Sequence, residues 1–557
     1  MGSTGPADLV FVNGGVYTVD AARSWARAVA VRDGRIAAVG TDADVAEHTG
    51  PRTEVVDLAE GMLVPGFQDA HVHPVGGGLD MLQCDLHELS TQEDYLLAIK
   101  TYAEANPERE WILGGGWAMD VFPGGTPTKD LLDAVVPGRC VYLPNRDGHS
   151  VWVNSRALEL AGVTSDTPEP ADGRIERGPD GEPSGTLHEG AADLVGRLAP
   201  EPTEDEVAQG LLKGQAYLHS LGITAWQDAI VDDGSQFGRN FSRYVDAAGR
   251  GDLTARVVGA LWWDRHRGAE QIEDLVELRA RGGVGRFAAT SIKIMQDGVC
   301  ENFTAAVLEP YLDAHGHPTA NAGISFVDPQ ALKGYVTELD RLGFQVHFHA
   351  LAERAVRESL DAIEAALIEN GPSDNRHHLA HIQVVHPDDI SRFRALHAVA
   401  NAQALWAAHE SQMDDLTIPF LGEPRWRWQY PFASLVRAGA TLAMGSDWSV
   451  SSPDPLEEMH VAVNRTMSSD YPYKVEQRDV FLPDERLDLP TALAAFTIGS
   501  AYVNHLDRET GSIEAGKFAD LAVIDRNLFE QPVGEIADAR VMQTFVEGER
   551  VYAAPSK

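Results

Sequence analysis

Between residues 63 and 444, short runs rich in β-branched and aromatic residues alternate with helix-like patterns, and this alternation constrains the fold more than any other feature. The runs lie near 63–67, 223–227, 256–261, 289–294, 344–348, 378–382, 398–402 and 441–444. Strand–helix alternation is the signature of βα units feeding a parallel sheet, and eight strands close a (β/α)8 TIM barrel. An open doubly wound sheet is the competing arrangement, but no G-x-G-x-x-G follows an early run. One interval is out of proportion: about 150 residues separate the first two runs, where a βα unit takes ~30–40. Residues 78–200 are therefore expected to form an inserted α+β subdomain after strand 1. Loops at that end of a barrel strand surround the active site, so the insert should roof a pocket.

Both ends of the chain are β-rich. Runs at 8–12 and 16–19 flank Asn13-Gly14-Gly15, and runs at 28–31 and 35–40 flank Asp33-Gly34, both strong hairpin signals. Further strand-like runs occupy 519–525 and 540–546, and Gly548 to Tyr552 echoes Gly14-Gly15-Val16-Tyr17. The two blocks are expected to complete one composite β-sandwich, with 1–64 as its N-terminal half and 505–557 as its C-terminal half. The barrel then spans 65–504.

Composition narrows the function. The chain has 557 residues, 44% of them hydrophobic and 23% charged, as in ordinary globular proteins. Its net charge of -39 disfavours nucleic acid and anionic membranes as partners. Cys84, Cys140 and Cys300 are far apart, which excludes a disulfide framework and a Cys-type zinc site. No signal-peptide pattern opens the sequence, and no apolar run approaches the ~18 residues of a membrane span. A soluble, cytoplasmic protein acting on a small molecule is expected.

The strand ends carry the chemistry. His71-Val72-His73 closes the first run, and in a strand alternate side chains share a face, an arrangement suited to a divalent metal. Lys293 alternates with Ile292 and Ile294 in a run that reads as buried, where an amine is costly unless paired or modified. His347-Phe348-His349 repeats the H-x-H pattern, His381 ends the sixth run and Asp447 follows the eighth. A lone histidine is more often a packed core residue than a ligand. Five strand ends that deliver such groups together point to one metal site.

These motifs resemble the amidohydrolase superfamily of metal-dependent hydrolases, and within it the YtcJ-like branch that includes N-substituted formamide deformylases. The resemblance is carried by Pro65-Gly66-Phe67-Gln68-Asp69-Ala70-His71-Val72-His73, Asp147-Gly148-His149-Ser150, Lys293 with Asp297-Gly298, His349-Ala350, His381-Ile382-Gln383 and Gly445-Ser446-Asp447. The stretch 511–521 looks like the family's return into its β-sandwich. The resemblance implies that His71, His73, Lys293, His349, His381 and Asp447 surround one or two divalent metal ions, zinc foremost, with Lys293 carboxylated. It also implies a homo-oligomer, a dimer being the expected form. Where relatives carry His-Ala-x-Gly-Asp, this chain has His349-Ala350-Leu351-Ala352-Glu353, which sets Glu353 back from the metal. His347 competes with His349 for the ligand role.

The implied reaction is hydrolysis of a C–N bond by metal-activated water, with Asp447 moving the proton and His149 holding the carbonyl oxygen. Trp448 follows Asp447, Trp226 and Trp406 lie near the ends of strands 2 and 7, and Trp152 lies in the roof. A pocket lined by these four would favour a small N-substituted amide or formamide with a hydrophobic substituent. Cyclic amide or imide hydrolysis and hydrolytic deamination are the alternatives on the same site.

Overall fold

The computed structural model describes residues 5–87, 89–234, 239–469, 471 and 479–555. Eight parallel strands form the barrel: β1 (Phe67–Val72), β2 (Ile223–Val231), β3 (Arg256–Trp262), β4 (Phe287–Met295), β5 (Gln345–Ala350), β6 (His378–His381), β7 (Val399–Ala402) and β8 (Thr441–Met444). They are hydrogen-bonded in sequence order from β1 to β8. The strand pattern explains this placement. Ile292 and Ile294 on β4, Val346 and Phe348 on β5 and Leu379 on β6 bury in one hydrophobic core with the surrounding helices, as expected for strands covered on both faces. Beyond β8 the chain returns to β1 by backbone bonds at the C-terminal rim. The Asp447 N–H donates to His71 O at 2.8 Å and the His73 N–H to Trp448 O at 2.7 Å.

The first strand differs from expectation. Residues 63–67 were expected to be the barrel strand, but Met62–Pro65 belongs to another sheet and β1 begins at Phe67. Pro65 lacks a ladder donor, and Gly66 lies so close to Thr224 that a Cβ would come within 2.4 Å of its side chain. The chain changes sheets at that pair. β1 also stops at Val72, so His73 is not a strand residue but the cap of the helix Pro74–Asp80.

Met62–Pro65 pairs in parallel with Gly15–Tyr17 and antiparallel with Leu521–Ile524, within a six-stranded sheet that continues through Val541–Val546 to Glu549–Ala553. A four-stranded sheet of Leu9–Val12, Ala28–Arg32, Arg35–Gly40 and Glu54–Asp57 packs against it. Phe11, Val29, Val31, Leu63, Leu521 and Phe545 fill the space between. Both ends of the chain therefore build one sandwich. Arg256 at the start of β3 ties it to the barrel through Asp520 at 2.8 Å and Glu547 at 2.6 Å, and Arg286 reaches Glu547 at 2.8 Å.

Between β1 and β2 lies a six-stranded sheet from Cys84–Asp85 to Pro183–Glu189 with its own core of Tyr95, Ile112, Trp117, Phe122, Leu143 and Trp152. The helix Glu204–Ser220 leads back to the barrel. Thr203 and Glu206 cap its start reciprocally, a capping box. Among the described residues, no helix is long and apolar enough to cross a membrane.

Candidate metal centre

At the C-terminal rim of the barrel, side chains from β1, β4, β5, β6 and the turn after β8 converge. Asp447 Oδ1 is 3.0 Å from both His71 Nε2 and His73 Nε2, and Asp447 Oδ2 is 3.8 Å from His381 Nδ1. Lys293 Nζ lies 3.4 Å from His71 Nε2. One ligand atom each from His71, His381 and Asp447 fall within 4.8 Å of one another. His349 adjoins this group, its ring centroid 4.4 Å from that of His381 and its Nδ1 3.4 Å from Asp297 Oδ1. His73 reaches the same carboxylate as His71 although it caps a helix, so the pairing expected of a strand is achieved by a strand end and a turn.

The backbone is arranged to hold this geometry. His381 and Asp447 have φ of 75° and 56°, a left-handed conformation uncommon for side-chain-bearing residues. Behind them Asp69 accepts the His71 N–H at 2.9 Å and the Ser446 hydroxyl at 2.5 Å, locking β1 to the turn after β8. Gly445 stands where a Cβ would lie 2.5 Å from His71 N, so only glycine permits this approach.

Electrostatics make the group a set of lone-pair donors. Burial lowers His71 to about 3, with the Lys293 charge adding to the effect. Burial likewise holds His349 and His381 well below the usual imidazole range. Burial brings Lys293 down to about 7, against the pull of Asp447. Asp447 would be raised by burial, but its contacts with His71 and His73 outweigh this and leave it ionised. Both ring nitrogens of His381 are buried without a hydrogen-bond partner, and Asp447 Oδ1 faces the His71 and His73 nitrogens. Each such orphan costs roughly 1–3 kcal/mol unless something else satisfies it. Neutral imidazoles, a carboxylate and an amine of lowered basicity are a donor set that fits a divalent cation.

His149 sits on the insert, its ring 5.2 Å from that of His349. Burial alone would lower it, but Glu189, with Oε1 at 2.9 Å from Nδ1, raises it to about 9. Glu189 in turn is held at about 2 by His149 and Thr304 against its own burial. This pairing was not legible in the sequence, since Glu189 carries no motif.

A cavity of about 330 Å³ opens above the group. His149, His349, His381, Asp447, Trp406 and Trp448 line it. Trp406 stacks on His381 at 5.6 Å, its Nε1 donating to Ser451 Oγ. Trp152 and Trp226 do not line it. Trp152 is buried in the insert's core and donates to Thr128 O, and Trp226 is buried in the barrel core. A tryptophan near a strand end is equally at home in either place, which the sequence pattern cannot separate. Nor is the wall purely apolar, for Arg146, Asp147, Glu301, Glu410 and Asp454 also face the cavity. Glu353 accepts the Leu308 N–H outside this wall. His347 lies beneath His71, its Nε2 2.7 Å from His71 Nδ1, rather than beside His349 at the cavity.

Residues 54–552 match the amidohydrolase family. The chain belongs to that family. Among its relatives, Protein LONG AFTER FAR-RED 3 of Arabidopsis thaliana is 32% identical over 98% of this chain and 92% of its own length. The N-substituted formamide deformylase of Arthrobacter pascens is 29% identical over 98% of both chains, and the Bacillus subtilis amidohydrolase YtcJ is 28% identical over 98% and 99%. Of solved structures, an uncharacterized metal-dependent hydrolase from Pyrococcus horikoshii superposes with a TM-score of 0.72 at 22% identity, over 94% of this chain and 99% of that one. An adenosine deaminase from Xanthomonas campestris with bound zinc has the same fold, with a TM-score of 0.52 at 15% identity over 98% and 93%.

Proposed function

We propose that the protein hydrolyses the C–N bond of a small N-substituted amide or formamide, with zinc held by His71, His73, His349, His381, Asp447 and a carboxylated Lys293. The observation that carries this is the convergence of ligand atoms of His71, His381 and Asp447 within 4.8 Å of one another, with both His381 ring nitrogens unpartnered, at the floor of the cavity. A divalent metal held there supplies a Lewis acid and an activated water at neutral pH. Lys293, lowered to about 7, presents a sizeable fraction of free amine, the form that adds to CO2 with loss of one proton. Asp447, ionised and at the rim, accepts a proton from the attacking water and delivers it to the leaving nitrogen. His149, protonated at neutral pH through Glu189, donates to the carbonyl oxygen as negative charge develops there.

Trp406 and Trp448 give the substituent an apolar wall, and the formamide deformylase relative supports the amide class. The test combines metal analysis of purified protein with a mass-resolved panel of N-alkyl and N-aryl formamides, acetamides, cyclic imides and amino-heterocycles. Equimolar formate and amine, or acetate and amine, are expected. Release of ammonia from an amino-heterocycle, with no cleavage of any N-substituted amide, would replace this reading with deamination.

A further inference from the structure

Within the barrel, beneath the metal centre, polar side chains of β2, β5, β6 and β7 meet in an unbroken hydrogen-bond network. We propose that Gln227 is a positioning residue that fixes the tautomer of His71, through His347, so that the His71 Nε2 lone pair is free for the metal. This goes beyond the ligand set and depends on the metal-centre reading above.

The network starts from groups that can act in one way only. The backbone carbonyls of Arg376 and Val503 can only accept, and Gln345 Nε2 donates to them at 2.9 and 2.7 Å. Gln345 Oε1 is thereby turned the other way and accepts from Gln227 Nε2 at 2.9 Å. The same Gln227 nitrogen donates to Asn504 Oδ1 at 3.1 Å, which uses both of its protons. Gln227 Oε1 therefore faces His347 Nδ1 at 2.6 Å and His378 Nε2 at 3.0 Å, and an amide oxygen only accepts. Both histidine nitrogens must carry a proton.

A second anchor reaches the same result from the opposite side. Asn401 Nδ2 donates to the backbone carbonyl of Ala70 at 2.9 Å and lies 3.2 Å from His378 Nδ1. His378 Nδ1 is then the acceptor, and its proton sits on Nε2, aimed at Gln227. The two arms agree on the orientation of the Gln227 amide.

The consequence passes upward. His347 is fully buried beside His71 and His378, and among the described residues no carboxylate is hydrogen-bonded to its ring. A neutral ring protonated on Nδ1 has its lone pair on Nε2, which lies 2.7 Å from His71 Nδ1. His71 Nδ1 must donate, leaving the lone pair on His71 Nε2, the nitrogen that faces Asp447 Oδ1 at 3.0 Å. Turning the Gln227 amide over would reverse every step and put a proton on His71 Nε2. That would convert the ligand into a hydrogen-bond donor to Asp447. A neighbouring acceptor that sets a ligand's tautomer typically changes metal affinity ~10–100-fold.

The experiment compares wild type with Gln227→Met. Methionine keeps the length and removes the acceptor. Zinc affinity is read by chelator competition, the Co2+-loaded centre by its visible absorption, and folding by thermal melts of the metal-free proteins. Expected is a loss of zinc affinity of about tenfold or more in Gln227→Met with a changed Co2+ spectrum. A folded Gln227→Met with affinity within about twofold of wild type and an unchanged spectrum overturns the proposal. A wild-type protein that takes up no divalent metal would instead overturn the metal-centre reading, and this proposal with it. Should Gln227→Met fail to fold, neutron diffraction from perdeuterated wild-type, metal-free crystals decides. Deuterium on Nδ1 of both His71 and His347 is expected; deuterium on Nε2 of either overturns it.

Discussion

Gly445→Ala is a small change with a large expected effect on the metal centre. The added Cβ would stand 2.5 Å from His71 N, 2.8 Å from His71 Cβ and 3.0 Å from His71 Cα. Ordinary contact begins near 3.4 Å, so β1 and the turn after β8 must separate by about 0.9 Å. The atoms met are mainly backbone, which cannot swing aside as the tip of a side chain can. Metal–ligand distances tolerate about 0.2 Å, so the imposed shift is several times what the centre accepts. The turn that moves carries Asp447, and the strand carries His71, so both ligands are displaced together. Overpacking of this kind costs about 1–3 kcal/mol in stability. Metal affinity should fall by more than an order of magnitude, with kcat/KM falling by about 10²-fold, the usual result of ~1 Å misplacement. Chelator competition, thermal melts of the metal-free protein and steady-state kinetics on an amide identified by the screen measure the three. A variant that binds zinc as tightly as wild type, with unchanged kcat/KM, would refute the geometry at this turn.

The other expectations concern the roof, the anchor and the wall. His149 is raised to about 9 from 6.5, so its pairing stabilises fully below pH 6.5 and is lost as pH rises through 9. Glu189 is lowered to about 2 from 4.5, so its share is present above pH 4.5 and lost as pH falls through 2. The pair thus contributes most between pH 4.5 and 6.5, on the order of 3 kcal/mol, and the deficit of Glu189→Gln should shrink from pH 6.5 to 10 in metal-free melts; a deficit independent of pH counts against it. Arg256→Ala leaves buried Asp520 uncompensated and should cost about 3–5 kcal/mol in chemical denaturation, and a loss under about 1 kcal/mol would show the sandwich is held otherwise. Trp406→Ala should raise KM for aryl amides several-fold, whereas Trp152→Phe should lower stability without changing KM; equal KM effects would mean that the wall is misassigned.

Local patterns carried much of this architecture, and non-local ones did not. The eight barrel strands were readable because each buried run has its own β-branched residues, and the insert was readable because βα units have a natural length. The metal-centre groups stood out because His71, Lys293, His349, His381 and Asp447 each lie at or just past the end of such a run. The start of β1 was misplaced because an unbroken apolar stretch hides the change of sheet at Pro65-Gly66. Gln227 and Glu189 were invisible for another reason. Each acts through a partner far away in the chain, Gln227 on His347 and Glu189 on His149, and a polar residue gives no sign of which distant group it will meet. The tryptophans show the opposite difficulty, since Trp152 and Trp406 share a residue type but differ wholly in surroundings.

The pairing of Val64 with Ala522 also sets an order of events during synthesis. At ~5–20 residues per second, the strand Leu521–Ile524 leaves the ribosome roughly 20–90 s after Met62–Pro65. Through that interval, one edge of Met62–Pro65 carries unpaired backbone donors and acceptors beside an apolar face that awaits its other half. Such an edge is open to pairing with any extended chain, including a neighbouring nascent copy. A contact made so late also slows folding, since its loop-closure cost falls before its benefit is gained. Aggregation during expression should therefore respond more to the solubility of the N-terminal strands than to the stability of the finished barrel.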